Sequence, residues 1–192
     1  MKKFIFLVFA IILLLTSCTE KDICYIPYDQ IPEDYSLLQA KDDDCVVFED
    51  SDITSGQSVW DDFLYKTASK KSCEVRLAFY YTLGDASHYA AELYEEIKDD
   101  YPVLYIMDLS YDGEKYTIYH TEDDNEYSNE YGYLVRYNGT PGSPTATYSG
   151  YTYYVLVNDD TVTWEQIEHG MYSSLYGDAI DHMTVYYDKV WK

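Results

Sequence analysis

Glu74-Val75-Arg76-Leu77-Ala78-Phe79-Tyr80-Tyr81-Thr82 is the stretch that decides the fold. Val75, Leu77, Phe79 and Tyr81 share one side of an extended chain; Glu74, Arg76, Ala78 and Tyr80 share the other. That period of two predicts a half-buried strand. Upstream, Cys45-Val46-Val47-Phe48 is a short apolar run suited to another strand. Between the two, Ser58 is placed to cap a helix, with Asp61 and Asp62 near its positive end and Lys70 and Lys71 beyond its negative end. Trp60, Phe63, Leu64 and Thr67 fall at helical spacing, so that helix turns one face inward. A strand, a helix and a strand in this order allow one parallel pair.

Downstream, Asp85 starts a second helix with Ala86, Ala90, Leu93, Tyr94 and Ile97 on one stripe. It ends at Tyr101-Pro102, because the residue before proline avoids helical angles. Residues 103–110 and 116–120 read as a hairpin around Asp112-Gly113, a strong turn signal. Residues 121–130 are polar and acidic and read as a loop. Residues 131–137, 151–158 and 183–190 read as strands. Residues 138–150, with three Gly and two Pro, read as a long surface loop, and the Asn138-Gly139-Thr140 sequon within it as a turn. Thr163 with Gln166 forms a capping box for a short helix ending near Gly170. The expectation is an α+β domain over residues 42–192. It has a single, mainly antiparallel sheet of about seven strands, with two to three helices packed on one face.

The N-terminus carries a different message. Lys2 and Lys3 precede an apolar run from Phe4 to Leu15, then Leu15-Thr16-Ser17-Cys18. Charge, apolar run and small residues in that order are a secretory signal, and about 12 apolar residues are too few to span roughly 30 Å of hydrocarbon. Leu-Thr-Ser-Cys looks like a bacterial lipobox. The resemblance implies that residues 1–17 are removed and that Cys18 becomes a lipidated N-terminus, anchored stably by more than one acyl chain. Thr19 after the cysteine resembles an outer-membrane address in a two-membrane cell. Ser17 to Asp22 resembles the Lys/acidic signals that move lipoproteins to the cell surface. The expected location is therefore extracytoplasmic, on the cell membrane or the outer membrane. Residues 18–41 lack a clear period and contain Pro27 and Pro32; they read as a tether reaching roughly 25 Å root-mean-square.

Composition narrows the partners. The formal charge is −22, and removing residues 1–17 takes away two lysines and no acid, leaving about −24. That balance argues against nucleic acid, whose phosphates need Lys and Arg. It gives a solvated surface, or a negative face for a cationic partner or Ca²⁺. The 25 tyrosines suit half-buried sheet faces and binding surfaces alike. Cys24, Cys45 and Cys73 remain beside Cys18. In an exported chain at most one pair forms; Cys45–Cys73 is the favoured pair if one does, since each opens a strand, and three free thiols are the alternative. There is no Cys-x-x-Cys motif.

Asp44-Cys45-Val46-Val47, Trp60…Phe63, Val75-Arg76…Tyr80-Tyr81-Thr82 and Asp108-Leu109-Ser110-Tyr111-Asp112-Gly113 followed by Tyr116 form a set. Over residues 44–119 this set resembles a family of small bacterial lipoproteins known as a domain of unknown function. The chain departs from it by an extra helix between Thr82 and Val103 and by lacking a late cysteine. The resemblance implies a location and a fold, not a reaction.

His88, His120, His169 and His182 show no metalloprotease spacing, and neither a Gly-x-Ser-x-Gly elbow nor a phosphate-cradling loop occurs. Glu122, Asp123, Asp124 and Glu126 are the residues a Ca²⁺ ion would draw on. Their spacing lacks the calcium-loop pattern and its glycine, so a solvated acidic loop is expected. No cofactor is expected. The function these features suggest is a non-enzymatic, lipid-anchored envelope module that binds a protein or peptide. The alternative is a module that binds glycan or wall polymer, stacking sugars on Trp60, Trp164 or Trp191; an unrecognised hydrolase is a third class.

Overall fold

The computed structural model describes residues 23–122, 125–173 and 176–192. The fold is α+β, with two sheets rather than one. The first is six-stranded, in the order β2 (Asp52–Ser55), β1 (Val46–Glu49), β3 (Cys73–Tyr81), β4 (Val103–Tyr111), β5 (Tyr116–Glu122), β6 (Asn125–Tyr131). The second is three-stranded: β7 (Tyr133–Gly139), β8 (Tyr148–Val157), β9 (His182–Trp191). Pairing is antiparallel except for β1 with β3, the parallel pair that the strand–helix–strand order allowed. The helices are α1 (Leu37–Asp42), α2 (Gln57–Ala68), α3 (Ala91–Ile97) and α4 (Trp164–Tyr172).

The single-sheet expectation fails at one glycine. Residues 131–137 read as one strand, but Tyr131 pairs with Tyr116 in the first sheet and Tyr133 with Val157 in the second. Gly132 lies between them and donates its N–H to Asn158 Oδ1 at 3.1 Å. Residues 121–130, read as a loop, instead contribute most of β6. All of residues 125–130 are exposed, so this edge strand buries neither face and leaves no hydrophobic period to read.

The period-two stretch behaves as its alternation demands. Val75, Leu77 and Phe79 enter the main core with Val46, Phe48, Leu109 and Ile118, which meet Leu156, Val185 and Tyr186 of the second sheet. Trp60 and Phe63 of α2 join them; Trp60 is 1% exposed and stacks on Tyr186 at 4.7 Å. Burying side chains of this size contributes about 1.5–3 kcal/mol each. The helices do not share one face. Helix α2 packs into the main core, α4 covers the far side of the second sheet through Ile167, and α1 lies on the opposite face of the first sheet. The stripe read from Ala86 to Ile97 does not form one helix; two 3-10 turns flank α3, which buries no residue.

The tether reading is corrected from Tyr25 onward. Residues 25–45 form a strap across the outer face of the first sheet, with Ala40, Cys45, Val47 and Ala78 at its centre. Arg76, 1% exposed, holds it. Its Nε and Nη2 donate to the two Asp108 carboxylate oxygens at 2.7 and 2.8 Å, and Nη2 also donates to Ile26 O at 2.8 Å. The guanidinium lies 5.0 Å from the centre of the Tyr25 ring. Burial opposes the Arg76 charge, but the Asp108 bonds outweigh it and push its pKa up. Tyr28 adds a clasp: its hydroxyl donates to Ile106 O at 2.9 Å and accepts from Thr121 N at 3.1 Å. A capping box between Ser36 and Gln39 starts α1. Such capping signals mark helices in sequence, but nothing there reveals that Arg76 waits beneath the strap.

Of the two readings of the cysteines, the structure has the three free thiols and not the Cys45–Cys73 pair. Cys24, Cys45 and Cys73 are free thiols. Cys45 packs under the strap while Cys73 packs against the main core on the other face of the sheet. A strand cannot bring side chains on opposite faces within bonding distance. Burial pushes both thiols up to about 11, whereas Cys24 is exposed. Titration of the native protein with a thiol reagent at neutral pH is thus expected to give one fast reaction, at Cys24, with Cys45 reacting on unfolding. Fast modification of Cys45 in the native state would contradict the docked strap.

Candidate functional site

The two sheets end in open edges that approach each other. β2 is one outer strand of the first sheet and β9 one outer strand of the second. They meet where Trp191 Nε1 donates to Asp52 Oδ1 at 2.6 Å. Between them runs an open groove of about 890 Å³, walled by residues 52–55 of β2, by Gly56, Gln57, Ser58 and Asp61 at the start of α2, and by Asp188 and Trp191 of β9.

Local sequence explains the walls. Glycine at position 56 lets the chain leave β2 and enter α2 within one residue, at φ +78°. The helix therefore starts at Gln57 with Gly56 as its N-cap, two residues ahead of the cap read at Ser58. Gln57 is fixed from both ends: its Oε1 accepts from Tyr186 OH at 2.8 Å and its Nε2 donates to Asp61 Oδ1 at 3.0 Å. Trp191 is 47% exposed, with its indole N–H already oriented by Asp52. Tyr148 meets the ring edge-on at 6.3 Å, and Lys189 Nζ stands 5.7 Å from the ring centre.

Chemically, the groove offers a half-exposed indole, three carboxylates (Asp52, Asp61, Asp188) and main-chain groups along two strand edges. No lysine or arginine lines it. A surface of this kind attracts cations, pairs with an extended main chain and stacks planar groups. At β6, the opposite edge of the first sheet, residues 125–130 are all exposed and Lys115 Nζ holds Glu130 at 2.8 Å across β5 and β6. Charged side chains on such an edge discourage strand addition.

The residues singled out in sequence disperse. Cys18, Asp123 and Asp124 lie outside the described residues. Glu122 and Glu126 sit at the β5–β6 end, where Glu122 is opposite Asn125 and Thr121 opposite Glu126. Cross-strand partners share a face, so Glu122 and Glu126 point to opposite faces and cannot chelate one ion together. Among the described residues no group of three or more His, Cys, Asp or Glu could hold a metal ion. Of the three tryptophans, Trp60 is in the core and unable to stack a ligand. Trp164 is tied into the α4 face, 4.7 Å from Tyr153 and 5.9 Å from Tyr137. Trp191 alone of the three presents its ring at a groove. Among the histidines, His120 stacks on Tyr127 at 5.2 Å and His182 Nδ1 lies 2.7 Å from Ile180 O.

Asp52, Ile53, Asp61 and Asp188 were not legible as site residues. β2 is four residues long with a polar, half-exposed pattern, and its neighbour across the groove is 139 residues away in sequence. The available signal was the terminal Trp191 on a strand rich in tyrosine. No family model matches the chain, and no curated protein and no solved structure matches it.

Proposed function

We propose that this protein is a lipid-anchored envelope module whose β2/β9 groove binds an extended, cationic segment of a partner protein. The observation that carries this reading is the groove itself, two open strand edges facing each other beside a half-exposed Trp191 and three carboxylates. Strand edges supply main-chain hydrogen bonds, alternate side chains supply register, and the carboxylates select lysine or arginine. Catalysis plays no part in the reading. The anchor follows from the resemblance of residues 15–18 to a lipobox, and the location from the anchor.

The exposed indole also favours a second reading, in which Trp191 stacks a sugar ring and Asp52 and Asp188 accept from its hydroxyls. A binding array of basic, acidic and neutral extended peptides beside envelope oligosaccharides separates the two. Basic peptides are expected to bind the mature protein, Trp191→Ala is expected to weaken them about tenfold or more, and rising salt is expected to weaken them further. Binding of oligosaccharides but not peptides, lost in the same variant, would replace the first reading by the second.

A further inference from the structure

The strap changes where the groove can work. Residues 25–45 are bound to the sheet through Arg76, Tyr28 and the Ala40–Cys45–Val47–Ala78 cluster, so they add no reach to an anchor at Cys18. Four residues separate Cys18 from Ile23, five Cα–Cα steps that span at most about 18 Å even when fully extended. Ile23 lines a depression with Val59, Asp62, Phe63 and Lys66, the middle of α2. The groove is lined by Gln57, Ser58 and Asp61 at the start of the same helix. The whole of α2, at 12 residues, is about 18 Å long. The groove therefore lies within roughly 35 Å of the bilayer surface, and the chain enters the domain less than two helical turns from it.

From this the geometry points to a partner that is itself attached to the same bilayer and presents its cationic, extended segment within a few tens of ångströms of the membrane surface. This rests on the peptide-binding reading of the groove and on the lipid at Cys18. The charge fits: the three groove carboxylates are repelled by anionic headgroups and stay turned to whatever cation is delivered beside them. So does the reach: a docked strap confines the groove to a thin layer over the membrane, where a co-anchored ligand has a high effective concentration and a freely diffusing one does not. A free tether of some twenty residues would have blurred that layer.

The test uses the full-length lipidated protein in vesicles of phosphatidylcholine and phosphatidylglycerol. The probe is a synthetic membrane-spanning helix followed either directly by an alternating Lys/Thr segment, or by the same segment beyond a rigid helical spacer of about 40 residues, ~60 Å long. A soluble copy of the segment is measured alongside. The directly joined segment is expected to bind at least tenfold more tightly than the spaced one, and Trp191→Ala is expected to weaken both. Equal or tighter binding of the spaced segment would overturn the membrane-layer placement while leaving the groove reading intact. Failure of the soluble and both embedded segments to bind would overturn the groove reading itself, and with it the inference. A mature protein whose mass shows no lipid on Cys18 would also overturn the placement.

Discussion

Alanine at position 56 is expected to destabilise the fold by about 3–5 kcal/mol. A Cβ built on Gly56 would lie 2.3 Å from Cys45 O and 2.7 Å from Val46 Cα, and both are backbone atoms of the central β1 region. The residue also adopts φ +78°, which an L side chain resists. Either effect alone is costly; together they force β1 away from α2, or the start of α2 away from the groove. Urea unfolding of Gly56→Ala beside wild type measures the loss. Gly142→Ala is the control, because nothing lies within 4 Å of its added Cβ, and it is expected to change stability by less than about 0.5 kcal/mol. A loss below about 1 kcal/mol for Gly56→Ala would contradict the close approach of the two backbones.

Arg76→Ala is expected to follow closely, at about 3–5 kcal/mol, because it leaves the Asp108 carboxylate without its two-point partner and the strap without its clamp. Arg76→Lys is the more instructive variant. An ammonium keeps the charge but cannot reach both Asp108 oxygens and Ile26 O with the geometry of a planar fork. It is expected to release the strap while the main core, on the other face of the sheet, stays packed. Limited proteolysis then cuts between residues 25 and 36 at least tenfold faster, and Cys45 becomes reactive while the core amides keep their protection. Loss of core and strap protection together would show that the strap is part of one cooperative unit rather than a separately held layer.

The two expectations draw on the part of the chain that sequence describes best, yet neither was readable from it. The alternation from Glu74 to Thr82 placed β3 and told its two faces apart, and the spacing of Trp60, Phe63 and Thr67 placed α2 and its buried stripe, because burial on one face leaves a periodic trace. The Asp112-Gly113 turn and the Thr163–Gln166 capping box were equally local and equally visible; Asp112 Oδ1 accepts from the N–H groups of Glu114 and Lys115, and Thr163 Oγ1 from that of Gln166. β6 left no trace because an edge strand exposed on both faces over residues 125–130 needs no apolar alternation, and β2 left little because its four residues include a single apolar side chain, Ile53, on the half-buried face. The strap left only the Ser36–Gln39 capping box as a local signal, because the hydrogen bonds that dock it, through Arg76 and Tyr28, reach 50 to 93 residues along the chain. Arg76 was placed on the face opposite Val75, Leu77 and Phe79 and no more, since a period of two says which face a residue occupies and not what covers that face. The groove was hidden for the same reason: it exists only when the first sheet's edge meets the last strand of the chain.

Amide spectra of the isotopically labelled mature protein, titrated with an extended peptide of alternating lysines and threonines, test the central claim most directly. The account predicts saturable shifts at residues 52–58 and 182–191 and at the Trp191 indole N–H. It also predicts that β6 and the outer face of α4 stay unmoved. Shifts confined to β6 or α4, or none anywhere up to about 1 mM peptide, would contradict it.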